Sequence, residues 1–295
     1  MARLNKFQIM DLYVEEITSA LKTKNKYSLK KSQIEEVLSE NRFIWKLPNN
    51  TTRSEFINYL TSKKEILTSI QFGPMSRIET RYIFKKNNVE TDVLAINLYS
   101  NSYLSHYSAV TFHDLTDEIN KSIYVTHEQS PKKSNNLDKD IHQKDIFLAF
   151  SKPMRLTNNY LDYNSQRIYF LNGQYTNKLG VIHRQNLFVT DLERTLIDIT
   201  VRPQYSGGVY EVLEIFKNAR DQLSLNRLAA YLKKMNLKYP YHQSIGFFLE
   251  RANYKEKSIT SFKNKFPIKN DFYLTYDMTG SSYNENWKLH HPKNI

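Results

Sequence analysis

Apolar residues recur with a helical period over the first 60 positions. Met10, Val14, Ile17 and Leu21, spaced by four, three and four, predict an amphipathic helix over 7–23. A second helix is predicted from Ser28 or Lys30 through SLKKSQIEEVLSENR, where Ile34, Val37 and Leu38 repeat the stripe. After the Pro48-Asn49-Asn50 break, Thr52 and Glu55 have capping-box spacing and open a third helix with Phe56, Ile57 and Leu60 inward. The period then changes: EILTSIQF and IETRYIF are β-prone runs joined by the turn sequence GPMSR. Three helices followed by a hairpin is the order of a winged helix-turn-helix, expected here over 1–90.

Beyond residue 90 the pattern is mixed. ETDVLAINLY and SNSYLSHYSAVTFHDL predict two helices, NKSIYVTHEQ a strand, and residues 129–140 an exposed loop. Strands are predicted at 166–172 and 180–189, and helices at 190–201, 207–220, 224–236, 241–252 and 256–264. The expected fold class is α/β (mixed α+β): a winged helix-turn-helix followed by a larger domain over 91–295, rich in helices in its C-terminal half.

In a winged helix the third helix enters the major groove and the hairpin touches the backbone. On that helix Thr52, Arg53, Ser54, Asn58 and Thr61 lie near the N-terminus or opposite the apolar stripe, and Lys63 and Lys64 follow its end. Arg77, Arg81, Lys85 and Lys86 decorate the wing. Arg53 and Asn58 have the bidentate chemistry that reads guanine and adenine edges, and the lysines suit phosphates. The alternative is a helical docking domain whose lysines form a solvated face.

Charge favours an anionic partner. Lys and Arg number 42 against 30 Asp and Glu, for a net +12 and a pI near 9.4. The absence of cysteine removes disulfides, thiolate nucleophiles and every Cys-containing metal site. No apolar stretch approaches the roughly 18 residues of a spanning helix, so no membrane association is expected and the cytoplasm is the expected compartment. Seven glycines satisfy neither GxGxxG nor GxxxxGK, and no G-x-S-x-G elbow occurs. Gly280-Ser281-Ser282 lacks the paired acidic residues a nucleotidyltransferase needs. No catalytic set, metal site or cofactor is therefore expected.

Two groups of polar residues have structural explanations. Asp191 or Thr190 caps the helix after the strand at 180–189, and Arg194 reaches Asp198 one turn on, which accounts for the charges of TDLERTLID. His106 and His113 are seven apart, too far to share a metal unaided.

Several blocks, in order, resemble the AbiEi family, the antitoxin and transcriptional-regulator half of type IV toxin-antitoxin abortive-infection systems. They are YLSHYSA (103–109) leading to HDLT (113–116), IYVT (123–126), VTDLERTLID (189–198), Arg202-Pro203, Gly207-Gly208-Val209, QSIGFFLE (243–250), FYL (272–274), WKL (287–289) and Pro292-Lys293. The resemblance implies a phage-defence antitoxin that is also an autoregulating repressor. Its winged helix would bind operator DNA, and its AbiEi-like antitoxin domain over 91–295 would counteract a nucleotidyltransferase toxin without requiring a stable complex. Asp191, Glu193, Arg194, Arg202 and Gln243 are the polar members of the matching blocks and become the antitoxin-domain candidates. The alternatives are a nuclease or other nucleic-acid-modifying enzyme, or an RNA-binding module, targeted by the winged helix.

The charge is divided unevenly. Residues 1–90 carry +6, residues 91–160 carry −1 and residues 161–295 carry +7. The densest excess is at 217–269, where Lys217, Arg220, Arg227, Lys233, Lys234, Lys238, Arg251, Lys255, Lys257, Lys263, Lys265 and Lys269 face three acidic residues. Solvated helix faces are the common explanation for such runs, and a second nucleic-acid-binding region is the sharper one.

Overall fold

The computed structural model describes residues 4–74, 76–86, 89–131 and 141–295. Most of the loop expected at 129–140, and Met75 of the expected wing turn, lie outside them. The chain forms two compact units, Met1–Ser100 with Asn158–Asn164, and Asn101–Thr157 with Ser165–Ile295. No helix among the described residues is long and apolar enough to cross a membrane.

In the first unit, α1 (Lys6–Leu12) and α2 (Val14–Lys24) divide the single helix expected at 7–23 at Tyr13. Asn5 starts α1 by accepting from the Phe7 and Gln8 N–H groups while the Gln8 side chain accepts from Asn5 N–H. The helix expected from Ser28 or Lys30 begins at Lys31, with Lys30 as its N-cap. The Asn25 carboxamide accepts from the N–H groups of Tyr27 and Ser28, turning the chain. This leaves β1 (Ser28–Leu29) extended ahead of α3 (Lys31–Asn41). Then come α4 (Arg53–Asn58), a widened turn Tyr59–Lys63, β2 (Leu67–Phe72) and β3 (Glu79–Phe84).

β3 pairs antiparallel with β2 and, on its other side, with β1, where Ser28 stands opposite Ile83. The hairpin turns through Gly73, whose φ of +116° suits glycine and where a Cβ would fall 2.5 Å from the Arg77 carbonyl oxygen. Ile17, Leu21, Ile34, Leu38, Trp45, Phe56 and Leu60 meet in the core. α5 (Thr91–Ile96), read from the sequence as the start of the second domain, groups with this first unit. Ser28 Oγ donates to the Asn97 carbonyl at 2.6 Å, and Phe72 packs edge-on against Tyr99.

The second unit opens with β4 (Ser102–Leu104) and α6 (His106–Phe112), where one helix was expected. β5 (Ser122–Glu128) and α7 (Gln143–Phe150) follow. β6 (Tyr160–Tyr163) lies in the segment that returns to the first unit. β7 (Gln166–Gly173), β8 (Val181–Arg184) and β9 (Leu187–Thr190) complete a mixed sheet in the order β7-β5-β4-β9-β8. The run expected as one strand at 180–189 is a hairpin, because Gln185 and Asn186, at φ +50° and +65°, make a two-residue turn between β8 and β9.

Helices then dominate: α8 (Leu192–Val201), α9 (Val209–Asn218), α10 (Leu225–Met235), α11 (Tyr241–Arg251) and α12 (Glu256–Lys263). A small sheet of β10 (Phe272–Tyr273), β11 (Ser281–Asn284) and β12 (Leu289–Pro292) closes the chain. α8 is buried from Glu193 to Thr200 and forms the unit's axis. The Trp287 ring lies so close to α11 that a Cβ on Gly246 would approach it to 2.3 Å. The fold is mixed α/β, and in the second unit the helices are concentrated in the C-terminal half.

Candidate functional site

In the first unit, α3 and α4 are joined by a loop held from within. The Arg42 guanidinium donates to the carbonyls of Pro48, Asn49 and Thr51 at 2.6, 3.3 and 2.8 Å, fixing the start of α4. Thr52, expected as a DNA contact, is spent on the helix cap: its hydroxyl accepts from Glu55 N–H, and the Glu55 carboxylate accepts from Thr52 N–H at 2.9 Å. Lys6 and these Thr52 contacts hold the Glu55 carboxyl down at about 2. Arg53, Ser54 and Asn58 are exposed, and Ser54 and Asn58 share one face of the helix at i, i+4. The Arg53 side chain is 70% exposed, with one distant carboxylate, Glu35, at 3.6 Å.

The remaining first-unit candidates divide. Thr61 is half-buried and donates to the Ile57 carbonyl. Lys63 lies 3.7 Å over the Phe7 ring, Lys64 pairs with Asp11 at 2.9 Å, and Lys85 pairs with Glu65 at 3.0 Å. Arg77 and Lys86 are exposed. Arg81 corrects the sequence reading. It is 7% exposed and donates to the Leu98 carbonyl at 3.1 Å, the Thr80 carbonyl at 3.2 Å and Glu79 at 2.8 Å. Its position on β3 points it into the unit, so it is a strut and not a wing contact.

The polar candidates of the second unit are also mostly structural. Asp191 caps α8 by accepting from Arg194 N–H at 2.9 Å and takes the Tyr231 hydroxyl at 2.8 Å on its other oxygen. Glu193, buried, accepts from Ser224 N–H at 2.9 Å and pairs with Arg227 at 3.4 Å. Arg194, 3% exposed, donates to Asp198 at 2.8 Å, the Leu179 carbonyl at 2.7 Å, Thr176 at 3.1 Å and the Tyr103 hydroxyl at 3.4 Å. Burial opposes its charge, but Asp198, Tyr103 and Glu128 outweigh that and hold the guanidinium pKa above its ordinary value. Burial raises the Asp198 carboxyl, whose Oδ2 has no hydrogen-bond partner. Gln243, fully buried, donates to the carbonyls of Asn270, Trp287 and Lys288, stapling α11 to the C-terminal segment.

The two histidines are likewise satisfied. His106 shares a hydrogen bond with Ser105 Oγ at 2.9 Å, and burial, then Arg202 and Arg194, push its pKa well below the usual range. His113 bonds the Thr190 carbonyl at 2.7 Å. Among the described residues no three His, Asp or Glu side chains come together as a metal-binding group.

The second basic region spreads over α9 to α12 and the segments that follow them. Arg220, Lys234, Lys255, Lys257 and Lys269 are exposed. Lys217 pairs with Glu214, Lys263 donates to Asn286, Arg251 lies over Phe247 and Lys238 over Tyr239. Lys233 and Lys265 line a cavity of about 330 Å³ with His242 and Phe266. Burial lowers the His242 imidazole to about 4.

Of the antitoxin-domain candidates, Arg202 lines a cavity of about 510 Å³ together with Lys152, Arg155, Tyr239, Tyr241 and Tyr276. Sequence reasoning singled out none of these five companions. The available signals were the paired cations of Lys152-Pro153-Met154-Arg155 and the two rings of Tyr239-Pro240-Tyr241, far apart in the chain and converging only through the fold.

No family model and no curated protein matches the chain. Among solved structures, that of the RV2827C protein from Mycobacterium tuberculosis is similar, with a TM-score of 0.58 at 13% identity over 95% of this chain and 91% of that chain. At that identity the likeness is one of fold.

Proposed function

We propose that the first unit is a winged helix-turn-helix that binds duplex DNA, and that the chain is the antitoxin and autorepressor of a type IV toxin-antitoxin pair. One observation carries the DNA-binding reading: α3 and α4 precede a hairpin whose β3 also pairs with β1, and α4 keeps Arg53, Ser54 and Asn58 in solvent. That is the connectivity in which the second helix of the pair enters the major groove by its N-terminal residues. Arg53 and Asn58 then read base edges, while Arg77 on the hairpin and Lys86 just beyond it meet phosphates.

Fluorescence anisotropy with the duplex upstream of the gene tests this. Asn58→Ala or Arg53→Ala should each lower the preference for that duplex over a scrambled one by about 1–3 kcal/mol. Arg77→Ala should weaken both duplexes alike and reduce the slope of log K against log salt by about one. Equal affinity of the unaltered protein for both duplexes at physiological salt would sink the reading.

The antitoxin half rests on the resemblance of 103–293 to the AbiEi family. It predicts that co-expression rescues growth from a neighbouring nucleotidyltransferase toxin, and that Arg53→Ala with Asn58→Ala leaves the rescue intact. Failure of the unaltered chain to rescue would overturn it.

A further inference from the structure

The cavity at Arg202 combines two chemistries, cationic and aromatic. Among its lining residues are three cations, Lys152 and Arg155 from the segment after α7 and Arg202 from the end of α8. None of the three makes an ion pair among the described residues, although surface lysines and arginines elsewhere in the chain do so repeatedly. Three cations at one opening favour an anion there, with the buried Asp198 carboxyl acting on Arg202 alone of the three.

Phenol rings line the cavity as well. Tyr276 stacks on Phe150 at 4.4 Å, Tyr239 meets Phe150 edge-on at 5.2 Å, and Tyr239 meets Tyr241 edge-on at 6.2 Å. Asp277 N–H donates to the Phe150 carbonyl at 2.8 Å and ties the segment after β10 that bears Tyr276 to α7. The wall is thus fixed before any ligand arrives, which limits the ordering cost of binding. Burial keeps the Tyr241 and Tyr276 hydroxyls protonated and the two bond each other, so the wall adds no negative charge.

We propose that this cavity binds a nucleoside phosphate, its phosphate held by Lys152, Arg155 and Arg202 and its base laid against Tyr239 beside Tyr241 and Tyr276. A bare anion would leave the ring wall unused, and an apolar ligand would strand the cations. A planar base joined to a phosphate satisfies both, and about 510 Å³ lies within the roughly 300–1,000 Å³ typical of small-ligand sites. Aromatic stacking with cationic contact to the backbone is also how single strands are held without sequence preference. The same chemistry therefore describes a free nucleotide and the phosphorylated end of a strand. The site lies wholly within the second unit and does not depend on the DNA-binding reading of the first.

Isothermal titration of the full chain tests the proposal with adenosine 5′-monophosphate, uridine 5′-monophosphate, adenosine, inorganic phosphate and a 5′-phosphorylated tetranucleotide. One-to-one saturable binding is expected for a mononucleotide, the tetranucleotide or both, at least about ten-fold tighter than for adenosine or phosphate alone. Saturation by the tetranucleotide alone identifies a strand end as the ligand, and saturation by the mononucleotide identifies a free nucleotide. Arg202→Ala and Tyr239→Ala should each weaken binding about ten-fold, while Tyr239→Phe, which keeps the ring, should stay within about three-fold. Lys152→Ala with Arg155→Ala, at exposed positions, gives the same loss without threatening the fold. No saturation with any phosphorylated probe, equal affinity for inorganic phosphate, or indifference to these substitutions would overturn the proposal.

Discussion

The two units treat charged residues in opposite ways. In the first unit, charged side chains mostly stay at the surface and pair with near neighbours, as Lys24 does with Glu36 and Glu40, and Lys64 with Asp11. Arg81 is the exception. In the second unit the fold is built around buried polar and charged groups: Arg194 with Asp198, Glu193 under Ser224, and the neutral Gln243 under Trp287. Prominence in the sequence therefore means different things in the two halves. In the first, exposed polar residues on a short helix are candidates for recognition. In the second, the most conspicuous polar residues build the core, and the cavity proposed as a ligand site joins Arg202 to residues that stood out little.

The sharpest way to break this contrast is to remove Arg194. Arg194→Ala leaves Asp198 buried without its cation and strands the Leu179 carbonyl, and losing one partner of a buried pair costs about 3–5 kcal/mol. Urea unfolding should show the transition of the second unit shifted by that amount, with the duplex-DNA binding proposed for the first unit unaffected. A loss below about 1 kcal/mol, the scale of an exposed pair, would mean that the network is peripheral.

That network also shows how much was legible. The Asp191 cap and the Arg194–Asp198 pair follow from helical spacing and are present as read, because both are local. Tyr103, Glu128 and Thr176, which complete the surroundings of Arg194, are separated from it in sequence, and no periodicity announces them. The same holds for the cavity: Arg202 was marked by its motif, whereas Lys152 and Tyr276 reach it from segments 124 residues apart. In the first unit, strand alternation could not separate Arg81, which turns inward, from Arg77 at the tip, because a basic residue on a hairpin reads alike on either face.

Acid should separate the units next. All eight histidines lie in the second unit. Burial holds His106 and His242 neutral, His242 down to about 4 against 6.5 for an unperturbed imidazole. The unfolded chain takes up these protons first, so stability is full above about 6.5 and is lost as pH falls from there toward 4. At about 1.4 kcal/mol per pKa unit the loss amounts to a few kcal/mol. In the first unit the corresponding group is Glu55, held at about 2 by Lys6 and Thr52, so its contribution persists until pH drops below about 4.5. Circular dichroism across pH 7 to 3 should show the second unit failing first, and simultaneous failure would remove the distinction.

Arg81→Ala tests whether the first unit's exception is structural. Losing the buried guanidinium and its bonds to Leu98 and Glu79 should cost about 2 kcal/mol in unfolding. Below the melting range the preference for the upstream duplex should be unchanged, whereas Asn58→Ala should change that preference and leave the melting midpoint nearly alone. The reverse pattern would put Arg81 at the DNA.

The smallest effect isolates the cap. Thr52 stands beside Arg53 at the start of α4, but its hydroxyl is occupied by Glu55 N–H. Thr52→Ala should therefore cost about 1 kcal/mol of first-unit stability, and Thr52→Ser should restore it by keeping the acceptor oxygen. DNA affinity measured well below the melting temperature should follow neither change. A loss of affinity in Thr52→Ala that exceeds its stability effect, and that serine repairs, would instead place the hydroxyl against a phosphate and extend the recognition face by one residue.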